Sequence, residues 1–181
     1  MEKIVITKEM LLAARDYVEI GVKEAWCKDN AMKCFDKLAI TADDEPAPPM
    51  YMVNAGLKAR YLMAAFAAFY LRQDFEALES DNALMSAEEY DRWAGSHVMN
   101  QVERWKQDRE LRDKCFDLLS DYKDLEKQFA VQINGMLAAM NDAVIRQSEY
   151  MTTQMKELPT LLEQLKDLQG KAESHAESES A

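Results

Sequence analysis

The chain has little of the two residues that most often interrupt helices. Only five glycines and four prolines occur among 181 residues, and three of the prolines fall within residues 46–49. This scarcity argues against a chain with many turns. The long segments without either residue are rich in Ala, Leu, Met, Glu and Lys, so the sequence predicts helix along most of its length.

Cysteine, histidine and recognisable catalytic motifs are scarce as well. Cys27, Cys34 and Cys115 have no metal-binding or redox spacing, and their odd number and apolar positions predict reduced thiols. His97 has no partner at ligand spacing, and His175 lies in a polar tail. Phosphate-binding loops, HExxH motifs and nucleophile elbows are missing from the sequence. The sequence therefore predicts that the protein is not an enzyme and holds no cofactor or metal.

Long apolar runs are also missing. The longest uncharged apolar run, Tyr61–Leu71, is too short to cross a bilayer. No signal peptide begins the chain. The formal net charge of −11 argues against binding to nucleic acid or to anionic membranes. These features predict a cytoplasmic protein.

Amphipathic helix is what the chain has in abundance. Between Asp108 and Phe129, apolar residues recur in alternating steps of four and three, which is the period of one helical face. Acidic residues form a second face about 120° away, and basic residues form a third. The helix is expected to continue to about Val144. The apolar face comprises Leu111, Cys115, Leu118, Tyr122, Leu125 and Phe129, and the acidic ridge comprises Glu110, Asp113, Asp117, Asp121 and Asp124.

These patterns predict an all-α fold, a single helical bundle of five to seven helices over residues 1–170. Helices are expected over 1–39, a Pro-rich linker over 40–53 and the main bundle over 54–170. The segment 54–76 is expected at the centre of the bundle, because a helix that is apolar nearly all round must be surrounded by partners.

Several residues mark where helices should begin or end. Thr7, Asn54, Ser86 and Thr160 are predicted N-caps, because their side chains can accept hydrogen bonds from the first helical turn. Pro159 is expected to end a helix, since proline lacks a backbone N–H. The low-complexity residues 171–181 are predicted to be disordered.

Acidic residues concentrate in two places, the stretch 74–91 and the ridge of the long helix. Carboxylates three or four residues apart on a helix lie about 5–6 Å apart, which is similar to the phosphate spacing of a nucleic-acid strand. Either acidic feature could therefore occupy a basic groove meant for DNA or RNA, although an ordinary solvated face is the alternative. The predicted partner-binding residues are Asp74, Glu76, Glu79, Asp81, Glu88, Glu89, Asp91, Glu110, Asp113, Asp117, Asp121 and Asp124.

Two other interpretations stay open. The pairs Glu76/Glu79 and Glu88/Asp91 are similar to the carboxylate pairs that hold Mg²⁺ in all-α nucleotide pyrophosphohydrolases, but eight residues between them leave little room for two facing helices. The acidic and basic faces of the 108–144 helix could also pair in an antiparallel homodimer.

Two segments, PPMYMVNAGLKARYLMAAFAAFYL and LRDKCFDLLSDYKDLEK, resemble short proteins of phages and mobile elements of gut Firmicutes. The nearest functional class is the type II-A anti-CRISPRs, small and often acidic proteins that bind Cas9 and block DNA binding or cleavage. This class shares no signature, so the resemblance implies a setting in the host bacterial cytosol and assigns no functional residue. Cas9 holds its nucleic acids in positively charged channels, which agrees with the acidic-ridge hypothesis.

The sequence thus predicts a non-catalytic acidic protein that binds and inhibits a nucleic-acid-handling enzyme, in the manner of a Cas9 anti-CRISPR. The alternative is a phage virion or assembly protein that oligomerises through its helices and Met-rich surfaces. The third interpretation is a Mg-dependent all-α nucleotide hydrolase. The partner, the stoichiometry and the acidic face in contact stay open.

Overall fold

The protein is mostly helical, as the sequence predicts. The structure, a computed structural model, describes residues 3–38, 41–42, 45–46, 50–72, 78–79 and 84–179. A 3₁₀ turn, Met32–Cys34, follows the second helix, and a π-helical turn, Phe66–Tyr70, follows the third. The α-helices in these ranges are α1 (Lys8–Ala13), α2 (Ile20–Ala31), α3 (Ala55–Ala65), α4 (Ala87–Gly95), α5 (Val98–Trp105) and α6 (Arg112–Glu179).

Short strands occur where the sequence predicted linker or helix. They are β1 (Phe35–Leu38), β2 (Thr41–Ala42), β3 (Glu45–Pro46), β4 (Met50–Val53), β5 (Leu78–Glu79) and β6 (Leu84–Met85). Strand β1 pairs with β4, while β2–β3 and β5–β6 are antiparallel pairs. The all-α prediction therefore holds for most of the described chain but misses these strands, because strands of two to four residues are too short to leave a clear alternation in the sequence.

The contacts of the chain divide it into two units. Unit 1 comprises Met1–Leu38 and Tyr51–Ala138, and unit 2 comprises Ala39–Met50 and Ala139–Ala181. Every buried hydrophobic side chain among the described residues belongs to unit 1. The hydrophobic core is thus confined to unit 1, whereas the sequence extended the main bundle to residue 170.

The core of unit 1 is built around α3, the π-helical turn and the first half of α6. Tyr61, Phe66 and Tyr70 are at most 2% exposed, which confirms that this apolar segment lies inside. The rings of Phe66 and Tyr122 meet edge to face with centroids 4.9 Å apart, and those of Tyr70 and Tyr122 do so at 5.8 Å. Such aromatic pairs add about 0.5–1.5 kcal/mol each beyond the burial of their area.

The N-terminal run Ile4–Ile6 looks like a strand in sequence but pairs with side chains of another helix. The Ile4 N–H donates to Ser96 Oγ at 2.9 Å, and the Ile6 N–H donates to Gln101 Oε1 at 2.8 Å. The Trp105 indole N–H donates to the Ile6 carbonyl at 3.1 Å. These bonds satisfy backbone groups that would otherwise need a sheet.

Three of the predicted N-caps are confirmed, and the fourth, Thr160, is wrong because this residue lies inside α6. Thr7, Asn54 and Ser86 each precede a helix, and their side chains accept hydrogen bonds from the N–H groups of Met10, Leu57 and Glu89. Helix α4 ends at Gly95, and His97 has a φ of 53°, which turns the chain sharply before α5. Capping by such side chains stabilises a helix by about 0.5–2 kcal/mol.

Helix α6 is longer than the sequence predicted. It passes Asn134-Gly135 and Pro159 without interruption and ends at Glu179. The prediction of a stop at Pro159 was therefore wrong, and the disorder of residues 171–181 stays a prediction. A proline inside a helix removes one hydrogen bond and its ring crowds the carbonyl four residues earlier, at a cost of about 3 kcal/mol, which is why the sequence favoured a stop there.

Candidate interaction surface

The N-terminal end of the acidic ridge is paired with Lys8 of α1. The Lys8 ammonium lies 2.6 Å from Glu110 Oε2 and 3.2 Å from Asp108 Oδ2. These two hydrogen bonds, the one to Glu110 first, raise the pKa of Lys8. The pKa of Asp108 is lowered, mainly because its carboxylate accepts a hydrogen bond from the Glu110 N–H. The hydrogen bond from Lys8 lowers it further. Glu110, a predicted partner-binding residue, is thus engaged within the chain.

The centre of the ridge turns inward at Asp121. Its Oδ1 lies 2.6 Å from the Lys23 ammonium, and its Oδ2 accepts hydrogen bonds from the Tyr70 hydroxyl at 2.8 Å and the Val18 N–H at 3.1 Å. The Lys23 side chain is 3% exposed and that of Asp121 is 11% exposed. The expectation that Asp121 belongs to an exposed ridge is therefore wrong, because a lysine distant in sequence draws its carboxylate inside.

Tyr70 takes part in this buried cluster as a hydrogen-bond donor. The pKa of the Tyr70 phenol is raised far above its usual range, mainly by burial and to a smaller extent by the hydrogen bond to Asp121. The phenol therefore stays protonated and keeps donating to the carboxylate. Within the chain, the cluster works as a structural connection between α2, the π-helical turn and α6.

Part of the acidic ridge binds the N-terminal segment, residues 8–23. Lys8 and Lys23 bind carboxylates at two places along it, and between them the Lys114 ammonium donates to the Leu12 carbonyl at 2.6 Å. The Val18 N–H adds its bond to Asp121. Much of the acidic spacing in the sequence is therefore explained by packing of the N-terminal segment.

The remaining ridge residues face outward. Asp113 and Asp117 are exposed, and neither makes an ion pair with another residue that the structure describes. Asp124 is exposed as well and lies 3.4 Å from Lys127 in a surface pair one helical turn away. Phe116, between the first two, is 61% exposed and carries the Lys106 ammonium 5.1 Å from its ring centre. We call Asp113, Phe116, Asp117 and Asp124 the α6 acidic face.

The second acidic feature is only partly described. Asp74, Glu76 and Asp81 lie outside the described residues, and Glu79 contributes its backbone to β5 while its side chain lies outside them too.

On α4, Glu88 and Asp91 are exposed to solvent. Glu89 instead accepts hydrogen bonds from Arg92 at 2.6 Å and from the Trp93 indole at 2.8 Å, so it supports its own helix. Among the described side chains of the stretch 74–91, Glu88 and Asp91 are the predicted partner-binding residues that are exposed to solvent.

Of the four carboxylates proposed to hold Mg²⁺, the structure describes the side chains of two. Glu88 and Asp91 are exposed on α4, and the side chains of Glu76 and Glu79 lie outside the described set. In the part of the chain that the structure describes, no three His, Cys, Asp or Glu side chains are grouped so that they could hold a metal ion.

An apolar face on the second half of α6 is exposed to solvent. The sequence assigned these side chains to the bundle core, but each is between 51% and 69% exposed. We call them the Leu/Met face, and they are Met151, Met155, Leu158, Leu161, Leu162, Leu165 and Leu168. A contiguous apolar patch of this kind is characteristic of an interaction site.

A cleft of about 450 Å³ opens in unit 1 between α3, α4, α5 and α6. Leu62, Met99 and Leu119 give it an apolar floor, and Lys123 and Glu126 add charge to its lining. Sequence reasoning missed this cleft because its walls come from four helices that are distant along the chain.

The three thiols lie in the core of unit 1. Cys27, Cys34 and Cys115 are buried and free, as the sequence predicts. Burial is the main cause that raises all three pKa values, and it raises those of Cys27 and Cys34 to about 11. They therefore act as small apolar side chains at neutral pH.

Among the described residues, none of the helices combines the length and the apolar character that crossing a membrane requires. Comparison with models of known protein families, with curated proteins and with solved structures finds no match to this chain. The arguments about function consequently depend on the geometry of its surfaces.

Proposed function

We propose that this protein is a non-catalytic interaction protein that presents the α6 acidic face to a basic surface of a nucleic-acid-handling enzyme. The single observation that carries the proposal is that Asp113 and Asp117 are exposed, one helical turn apart and free of ion pairs with other described residues. Carboxylates in this state are available to the cations of a partner without first breaking an internal bond.

Phe116 adds an apolar side chain beside the two carboxylates, about 60° from Asp113 and about 100° from Asp117 around the helix. It is 61% exposed on a helix whose other face is packed. Aromatic side chains near the centre of an interface contribute a large share of its affinity, while the surrounding charges provide orientation and specificity. The combination therefore favours a protein partner over a purely electrostatic contact.

The most concrete form of the proposal is a Cas9 inhibitor of the anti-CRISPR type. Cas9 holds its RNA and DNA in positively charged channels, so a rigid helix with outward carboxylates can compete with target DNA for the same cations. The net charge of −11 would favour the encounter between the two proteins. Phage or mobile-element origin is part of this proposal and comes from the sequence resemblance alone.

The test is a binding and cleavage experiment with a purified Cas9–guide RNA complex. Wild-type protein is expected to bind the complex, to suppress cleavage of target DNA and to bind less tightly as salt concentration rises. The double variant Asp113→Lys/Asp117→Lys should weaken binding about 10- to 100-fold, because each reversal replaces attraction with repulsion. Asp121 is left unchanged, since its carboxylate belongs to the core.

The matched control is Glu157→Lys/Glu163→Lys, which changes the net charge by the same amount at exposed positions elsewhere on α6. This control should keep nearly the full affinity. Equal loss in both variants would mean that only overall charge matters and would contradict the assigned face. No binding by the wild type would refute the Cas9 form of the proposal.

A second candidate function is assembly, in which helices of several copies or of a phage structural partner associate. The observation that favours it is the Leu/Met face, whose seven apolar side chains are at least half exposed. An assembly protein should form stable oligomers and should be found in purified particles.

A further inference from the structure

The Leu/Met face follows the spacing of a coiled-coil seam. Met151, Met155, Leu158, Leu162 and Leu165 succeed one another in steps of four, three, four and three residues, which is the heptad pattern of positions d, a, d, a and d. Leu161 and Leu168 occupy the adjacent g positions and widen the stripe. All of these residues lie on helix α6. Pro159 occupies an e position between Leu158 and Leu162, and the helix continues through it with its register kept.

From this geometry we infer that two copies of this chain pair through the Leu/Met face in a two-helix coiled coil. The occupant is a second copy because an a/d stripe is self-complementary: knobs from one helix fit the holes of an identical helix related by two-fold symmetry. This pairing differs from the antiparallel pairing of charged faces over 108–144. It does not depend on the inhibitor function proposed above, and it specifies the second candidate, assembly, which uses the same face.

The area available agrees with a dimer. Each of the seven side chains is 51–69% exposed and presents on the order of 100 Å² of surface. Together they offer on the order of 700 Å² per copy, which is close to the roughly 800 Å² per partner of a standard interface. A helix without a packed apolar face draws little stability from its own hydrogen bonds, so pairing also stabilises this half of α6.

The charges around the stripe do not oppose self-pairing. Lys156, Glu157 and Glu163 occupy positions b and c, which point away from the seam of a coiled coil. Lys166, at position e, has apolar g-position neighbours, so its stem can cover the seam while its ammonium stays in water. Within the stripe no acidic side chain occupies an e or g position, and repulsion between identical copies is therefore small.

The test measures the mass of the full chain by light scattering during size-exclusion chromatography, from about 1 to 100 μM. Wild type is expected to have twice the chain mass of 20.8 kDa. The seam variant Leu158→Glu/Leu162→Glu should have the mass of a single chain, with dimer affinity reduced at least about 100-fold. The matched control Thr160→Glu/Gln164→Glu adds the same charge at positions f and c of the same turns and should remain a dimer.

Tryptophan fluorescence verifies that unit 1 is folded in every variant, because all three tryptophans of the chain, Trp26, Trp93 and Trp105, belong to it. A wild type with the mass of one chain at every concentration would overturn the inference. A seam variant that keeps the dimer mass, or a control that loses it equally, would overturn the assignment to this face. Monomeric wild type that binds neutral phosphatidylcholine vesicles through these leucines would assign the face to a lipid surface instead.

Discussion

Replacing Asp121 by alanine tests whether the acidic ridge stabilises the fold by binding the N-terminal segment. The substitution removes the carboxylate that accepts hydrogen bonds from Lys23, Tyr70 and Val18. It leaves the Lys23 ammonium, 3% exposed, without its counter-charge. An uncompensated charge in a buried position is among the most destabilising changes that a single substitution can cause.

The magnitude follows from the burial of the pair. Removing one partner of a buried ion pair costs about 3–5 kcal/mol, because the remaining charge keeps its desolvation penalty. For a chain of this size the melting temperature falls about 2–4 °C per kcal/mol, so the expected drop is about 6–20 °C. Replacing both members with apolar residues, as in Lys23→Met/Asp121→Leu, should recover the part of the loss that comes from the buried charge. The Tyr70 hydroxyl and the Val18 N–H still lack their acceptor in this variant, so recovery is incomplete.

The assay is urea unfolding followed by tryptophan fluorescence, which reports on unit 1. The matched control is Asp117→Ala, one turn earlier on the same ridge, where the carboxylate is exposed and free of ion pairs with described residues. That variant should stay within about 0.5 kcal/mol of wild type. A loss of less than about 1 kcal/mol in the free energy of unfolding for Asp121→Ala would refute the buried role of Asp121. Equal losses for the Asp117 and Asp121 variants would refute it as well.

Two further predictions concern a helix cap and the thiols. Asn54→Ala should lower the free energy of unfolding by about 0.5–2 kcal/mol, because the Asn54 side chain accepts a hydrogen bond from the Leu57 N–H and no alanine atom can do so; unchanged urea unfolding would contradict it. For Cys27 and Cys34, pKa values raised from 9.0 to about 11 leave about 100-fold less thiolate near neutral pH. Iodoacetamide should thus label the native protein at least that much more slowly than the urea-unfolded chain, and equal rates would show that the thiols are not buried.

The acidic ridge illustrates how far sequence reasoning reaches for the candidate surface. The spacing of Asp113, Asp117 and Asp121 correctly predicts one side of one helix. Each step of four residues turns about 40° around the helix, so Asp121 lies nearest of the three to the apolar face. The spacing does not identify its partner Lys23, 98 residues earlier in the chain. A pairing over such a distance leaves no local signal.

The C-terminal half of α6 shows a second limit of sequence reasoning, which concerns apolar side chains. The apolar spacing of Leu161, Leu165 and Leu168 predicts an amphipathic helix after Pro159, and this stretch is helical. Periodicity, however, says only that one face is apolar, and the same pattern serves a bundle core or an open seam. The sequence assigned these residues to the bundle, whereas the structure leaves them exposed.

The sequence by itself determined the local properties of this protein: mostly helical segments, the three N-caps, the apolar segment that enters the core and the thiols inside it. These properties depend on interactions between residues a few positions apart or on the hydrophobicity of one segment. The tertiary structure alone decided which carboxylates Lys8 and Lys23 neutralise, that helices α3 to α6 enclose a cleft, and that one apolar face stays uncovered. Those outcomes depend on which distant segments meet in space, since burial and charge pairing are properties of the packed chain.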